Sequence, residues 1–143
     1  MSAIDLLAKL SHHAYLLIGA SDTRDELISI LEKKHTLIAQ GNPDFYIRNF
    51  ETLTIDDARE LKVLHSSRPV GTAQKKIFVL TMNGITIEAQ NALLKLLEEP
   101  AEYAHFFLIV PSAHLLLPTV KSRMLEITTG EGRREKEDRE TQK

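Results

Sequence analysis

The sequence predicts a three-layer α/β sandwich built on a five-stranded parallel sheet, and three observations lead there. The run Ile77-Phe78-Val79-Leu80 is short, apolar and partly β-branched, with lysines before it and a turn signal after it. That pattern reads as a strand buried on both faces. Directly after it, Thr86–Glu99 reads as a helix with a broad apolar face of Ile87, Leu93, Leu94, Leu96 and Leu97. The same strand-then-helix alternation recurs along the chain, which implies parallel pairing, right-handed crossovers and functional loops at the carboxyl ends of the strands, near Gly19, Thr81 and Val110.

Each element has a local reason. Ile4, Leu6, Leu7 and Leu10 suggest a short amphipathic first helix. Ala14–Gly19 is the first strand. Thr23 and Glu26 have the spacing of a capping box, so the next helix is expected over Asp25–Gln40. Gly41-Asn42-Pro43-Asp44 is a turn. Phe45–Phe50 alternates apolar with polar residues as the second strand. Thr54 caps a helix running to His65, with Asp56 and Asp57 complementing the dipole. Ser66–Gln74 connects to the third strand, which Asn83-Gly84 is expected to end. Thr86 or Ile87 caps the following helix, Glu88 suits its first turn, and Pro100 stops it. Phe106–Val110 is the fourth strand. Pro118–Arg123 turns into the last, Met124–Ile127. Residues 1–129 form one domain, and 130–143 form a tail. Its Glu131–Lys143 balances five acids against five bases with no apolar residue, so disorder is expected there.

Composition narrows the function. A net charge of −2 over 143 residues supplies no general basic field for nucleic acid. With no cysteine there is no disulfide and no thiolate metal site. His12-His13 are adjacent and point about 100° apart on a helix, a poor chelate. His35, His65, His105 and His114 lack ligand spacing too, and Asp56, Asp57 and Glu60 read as helix-start acids. No metal and no cofactor is expected. No run reaches membrane-spanning length, and Met1–Leu10 does not resemble a signal peptide, so a cytoplasmic location is expected.

The wording of the central helix is more specific than its periodicity. Asn91-Ala92-Leu93-Leu94-Lys95 followed by Leu97-Glu98-Glu99-Pro100 resembles the signature helix of bacterial DNA polymerase III clamp-loader subunits, the gamma/tau and delta-prime group of AAA+ proteins. Leu115–Met124 falls where that family has its Ser-Arg-Cys motif. The resemblance covers roughly the first 128 residues and implies an AAA+, P-loop-like core; the family's lid and collar domains are not expected in this chain.

Against that pattern the ATP machinery is degenerate. Gly19 matches the first glycine of the phosphate loop, but Ala20-Ser21-Asp22-Thr23-Arg24 replaces the rest, and Asp25 stands at the lysine position. A carboxylate there repels a triphosphate. Arg24 reads as an exposed arginine. The acidic pair that orders Mg²⁺ and positions water falls at Thr81 and Met82, which do neither well. Ser112 is a displaced candidate for the sensor residue. The chain is therefore expected to be inactive as an ATPase by itself.

Other parts of the pattern persist. The resemblance implies that Arg123 is an arginine finger reaching a neighbour's ATP, a task suited to a permanently charged, bidentate group. Met124 replaces the family's cysteine. Lys95 and Thr119 match positions that touch the DNA backbone, where contacts give affinity without sequence choice. The expected role is a non-hydrolysing, delta-prime-like subunit of an AAA+ assembly in DNA replication. Its partners are other clamp-loader subunits, and DNA contact is weak and confined to the assembly. The alternative is a free-standing, ATP-independent protein-interaction module of the same fold.

Overall fold

The computed structural model describes residues 3–129, with side chains from Asp5 onward. The tail expected over 130–143 lies outside the described residues. Five strands, β1 (Ala14–Ile18), β2 (Phe45–Leu53), β3 (Lys76–Ile85), β4 (Ala104–Val110) and β5 (Leu125–Glu126), form one parallel sheet in the order β2-β3-β4-β1-β5. The helices are α1 (Ala3–Lys9), α2 (Ser21–His35), α3 (Ile55–Ser66), α4 (Ile87–Glu98) and α5 (Pro118–Lys121), with a 3-10 turn at Ala113–Leu115. The chain moves one way across the sheet from β1 to β2 and the other way from β2 through β3 and β4 to β5. Right-handed crossovers then place α2 on one face and α3, α4 and α5 on the other. Two cores result. Leu7, Leu27 and Leu31 of the first two helices pack on Tyr15, Leu17, Val79 and Phe107; Leu61, Leu93, Leu97 and Val120 pack on Phe78, Leu80, Met82 and Phe106. Stacked rings brace each core, Tyr15 on Phe107 at 4.8 Å and Phe78 on Phe106 at 4.6 Å.

Several boundaries differ from the local signals. Helix α2 starts at Ser21, not Asp25, and the Thr23–Glu26 capping box does not form: Ala20 is the N-cap and makes no side-chain bond. It ends at His35, not Gln40, because Thr36 turns left-handed (φ 53°). The chain then folds back, the Ala39 N–H donating to the Glu32 carboxylate (2.9 Å), and Ala39 joins the core. Strand β3 runs through Asn83-Gly84 to Ile85, since a longer β2 supplies its ladder (Thr52 opposite Gly84, Leu53 opposite Ile85). Pro118–Lys121 is a helical turn, as a proline at its first position permits. Thr54 and Thr86 do cap α3 and α4: the Thr54 N–H donates to Asp57 (2.9 Å), and the Thr86 hydroxyl accepts from the Ala89 N–H (3.1 Å).

The amino end of the sheet holds buried polar groups paired with the main chain. Asp44 accepts from the Val70 and Gly71 N–H groups (2.8 and 2.7 Å) and so pins the loop before β3. The Lys76 ammonium donates to the carbonyls of Leu64 and Ser67 at the end of α3. The His65 Nε2 accepts from the Ala101 N–H (2.9 Å). His13 and His105 stack at 5.4 Å; each Nδ1 donates to a carbonyl, that of Ala104 and of His12 respectively (2.8 Å each). Burial holds His105 down to about 4, the positive charges of His13, Lys75 and His35 adding to it against the His12 bond. Burial likewise lowers His65, helped by Lys76.

Candidate functional site

The expected loop between β1 and α2 has shrunk to Gly19-Ala20. The Gly19 N–H donates to the Val110 carbonyl (2.8 Å), tying this corner to the end of β4. A Cβ on Gly19 would lie 2.0 Å from the Thr23 Oγ1 and 2.7 Å from its Cβ, so Thr23 sits directly against the glycine backbone. Gly19 is required by close approach, with the threonine lying where an open loop would be. Asp25 is the fifth residue of α2, not its start, and is exposed. Its carboxylate accepts from the Arg24 Nε (3.0 Å), while the Arg24 Nη1 donates to the Asn49 Oδ1 on β2 (2.9 Å). Arg24 is thus not the exposed arginine expected: its side chain is 21% accessible and both ends of the guanidinium are engaged.

Thr81 lies on β3 between Asn49 and Ile109, and its Oγ1 is buried without a hydrogen-bond partner. Met82 points the other way, 1% exposed, into the core under α3 and α4. Alternation along the strand dictates that split. Ser112 accepts from the His114 N–H (3.2 Å), capping the 3-10 turn. Among the described residues no group of three or more His, Cys, Asp or Glu side chains is placed to hold a metal ion. No helix there is long and apolar enough to cross a membrane.

The second cluster lies where α4 packs on α5. Gln90, buried on α4, donates from Nε2 to the Leu115 carbonyl (3.1 Å) and accepts from the Leu117 N–H (2.7 Å). Its amide thereby fixes the segment entering α5. The turn after it is closed by main-chain bonds, Ser122 N–H to Pro118 O (2.9 Å) and Arg123 N–H to Val120 O (3.1 Å). The Ser122 hydroxyl adds a bond to the Thr119 carbonyl (2.7 Å). Thr119 and Lys95 are exposed. Arg123 projects from this rigid turn, half exposed, with Glu98 at the end of α4 3.7 Å away. Sequence reasoning missed Gln90. The signal was its place three residues before Leu93 on the apolar face, where a buried amide needs partners.

Comparisons with known proteins identify this scaffold. Residues 29–130 match the family model described as DNA polymerase III, delta subunit, a match that begins beyond the β1–α2 corner. The chain is 29% identical over 135 residues to the DNA polymerase III subunit delta' of Haemophilus influenzae, covering 80% of this chain and 41% of that protein. It is 35% identical over 69 residues to the gamma/tau subunit of Mycobacterium tuberculosis, covering 48% and 12%. Among solved structures, a gamma subunit-related protein of Thermotoga maritima superposes with a TM-score of 0.71 at 26% identity, covering 89% of this chain and 45% of that one. The P-loop NTPase domain of a sigma-54 transport activator from E. coli shares the fold alone (TM-score 0.54, 15% identity). The chain spans about two fifths of the length of the delta' relative. Family match, shared fold and the α4 wording agree, and the chain belongs to the DNA polymerase III delta-subunit family as a clamp-loader-type AAA+ domain.

Proposed function

We propose that this domain serves as a non-hydrolysing subunit of a clamp-loader-type assembly and contributes Arg123 to a neighbour's nucleotide site. The observation that carries this reading is the closed β1–α2 corner. Thr23 is packed on Gly19, and α2 begins after only two residues, so no loop of free amides remains to cradle a triphosphate. Asp25 lies one turn into the helix with its charge turned to Arg24, and Met82 is buried in the opposite core. These residues do not fit a Mg²⁺-nucleotide. Arg123, by contrast, is exposed on a backbone fixed by α5 and so can act outside its own chain. A guanidinium suits a γ-phosphate because its fork is planar and always charged. Lys95 and Thr119, exposed on α4 and α5, would add sequence-independent contacts to a DNA backbone within the assembly.

The test pairs the chain with an ATP-hydrolysing gamma/tau subunit. Arg123→Ala is expected to leave folding intact and to cut the assembled ATPase, and Arg123→Lys to rescue poorly. Calorimetry of the isolated chain is expected to show no Mg²⁺-dependent ATP binding. An ATPase indifferent to Arg123→Ala overturns the finger, and micromolar ATP binding overturns the closed corner.

A further inference from the structure

Glu98 occupies a position that helix physics disfavours. It is the last residue of α4, Glu99 follows it, and the carbonyl end of a helix repels negative charge. Cations belong there, and departures of this kind from local preference concentrate at functional positions. Among the described residues, the cation within ion-pair distance of Glu98 is Arg123, at 3.7 Å, the two side chains 44% and 51% accessible. That separation is an ion pair without a hydrogen bond, so water and salt screen it. The backbone on both sides is rigid: α4 carries Glu98, and the closed turn after α5 carries Arg123. The contact itself, half exposed and without a hydrogen bond, is weak enough to break.

We propose that Glu98 is a positioning residue that parks the Arg123 guanidinium on its own chain, to be displaced when the more highly charged phosphate of a neighbouring subunit's nucleotide competes for it. This rests on the reading of Arg123 as a finger and goes beyond it by naming the group that holds the finger before engagement. A carboxylate carries one negative charge and lies here half in solvent; a triphosphate carries several and presents a matching fork of oxygens. The exchange therefore completes as charge develops on the transferring phosphoryl group, so the cost of leaving Glu98 falls on the chemical step. Parking lowers the fraction of free finger, which lowers the neighbour's kcat and leaves its KM for ATP unchanged.

The experiment compares wild type, Glu98→Gln, Arg123→Ala and the double variant, each assembled with an ATP-hydrolysing gamma/tau subunit. Glu98→Gln is expected to raise kcat by up to about fivefold at low salt, the range of an exposed ion pair. KM should stay constant, and the gain should fade in high salt. The double variant should match Arg123→Ala alone. Thermal unfolding of Glu98→Gln should be unchanged or slightly later, since the helix loses an unfavourable charge. In the isolated chain, the Arg123 guanidinium NMR signal should shift in Glu98→Gln and, in wild type, with added salt. A lowered or unchanged kcat in Glu98→Gln, or an unshifted signal, overturns the parking role. If Arg123→Ala cuts the rate while Glu98→Gln leaves it alone, parking fails and the finger stands; if neither variant matters, the finger itself fails.

Discussion

At the amino end of the sheet, Asp44, His65, Lys76 and His105 are all buried, and each is bonded to main-chain groups. On the surface of the helical layer, Lys95, Thr119 and Arg123 are exposed, and the Glu98 carboxylate lies 3.7 Å from Arg123. The first arrangement converts polar side chains into ties between strands and loops, because a buried polar group without a partner costs about 1–3 kcal/mol. The second leaves charge available to something outside the chain. Stability and proposed function are thus carried by the buried and the exposed polar groups of the same domain. Gln90 crosses that division: it is buried and main-chain-bonded, yet it holds the segment leading to the exposed Arg123.

The sharpest test is kinetic. Arg123→Ala should lower the assembled ATPase strongly, fingers of this kind being worth about 10³–10⁵ in rate elsewhere. Chemical denaturation should show a stability change of no more than about 0.5 kcal/mol, as for an ordinary surface site. A large stability loss instead would place Arg123 with the buried structural residues and erase the contrast.

Acid should act on the buried groups. The folded-state value of His105 is held at about 4, below the ordinary 6.5, so the unfolded chain binds the extra proton between those values. Stability is then complete above pH 6.5 and falls as the pH drops toward 4, by about 3 kcal/mol from this group. His65 and His35 are lowered too and act in the same direction. Urea unfolding from pH 7 to pH 4 checks this. His105→Asn, which keeps a donor for the His12 carbonyl, should flatten the profile; an unaltered slope would show that the stacked histidines are not its source.

Two substitutions probe the carboxyl end for hidden packing. Gly19→Ala should destabilise by about 1–3 kcal/mol through overpacking against Thr23. Adding Thr23→Ala should recover part of the loss, since it removes the atom 2.0 Å away but leaves the Cβ at 2.7 Å. Additive effects would mean the two residues do not meet. Gln90→Leu should cost about 1–3 kcal/mol, from stranding the Leu115 carbonyl and the Leu117 N–H. Lys95→Ala is the smallest expected effect: no stability change beyond about 0.5 kcal/mol, and equally weaker DNA retention by the assembly on unrelated sequences. Sequence-dependent weakening would count against a backbone contact.

Much of this architecture was legible because its causes are local. Ile77–Leu80 and Phe106–Val110 must be apolar on both faces if helices cover both sides of the sheet, and they are. Thr86 and Pro100 bracket α4 through bonds and clashes within a few residues. The clamp-loader resemblance was equally visible, because it resides in contiguous words of sequence, and the family match supports it. Other features needed distant partners. Asn83-Gly84 signals a turn, yet β2 offers a ladder and the strand continues. Thr23 and Glu26 have capping spacing, but α2 begins at Ser21, with Gly19 bonded to β4 and Thr23 packed over it. Spacing also cannot show that Gln90 meets residues 25 and 27 positions away, or that Arg123 rests beside Glu98. Local preference is set by neighbours within about a turn; the pairing of buried polar groups is set by whichever chain segment the sheet brings alongside, and that only the folded structure decides.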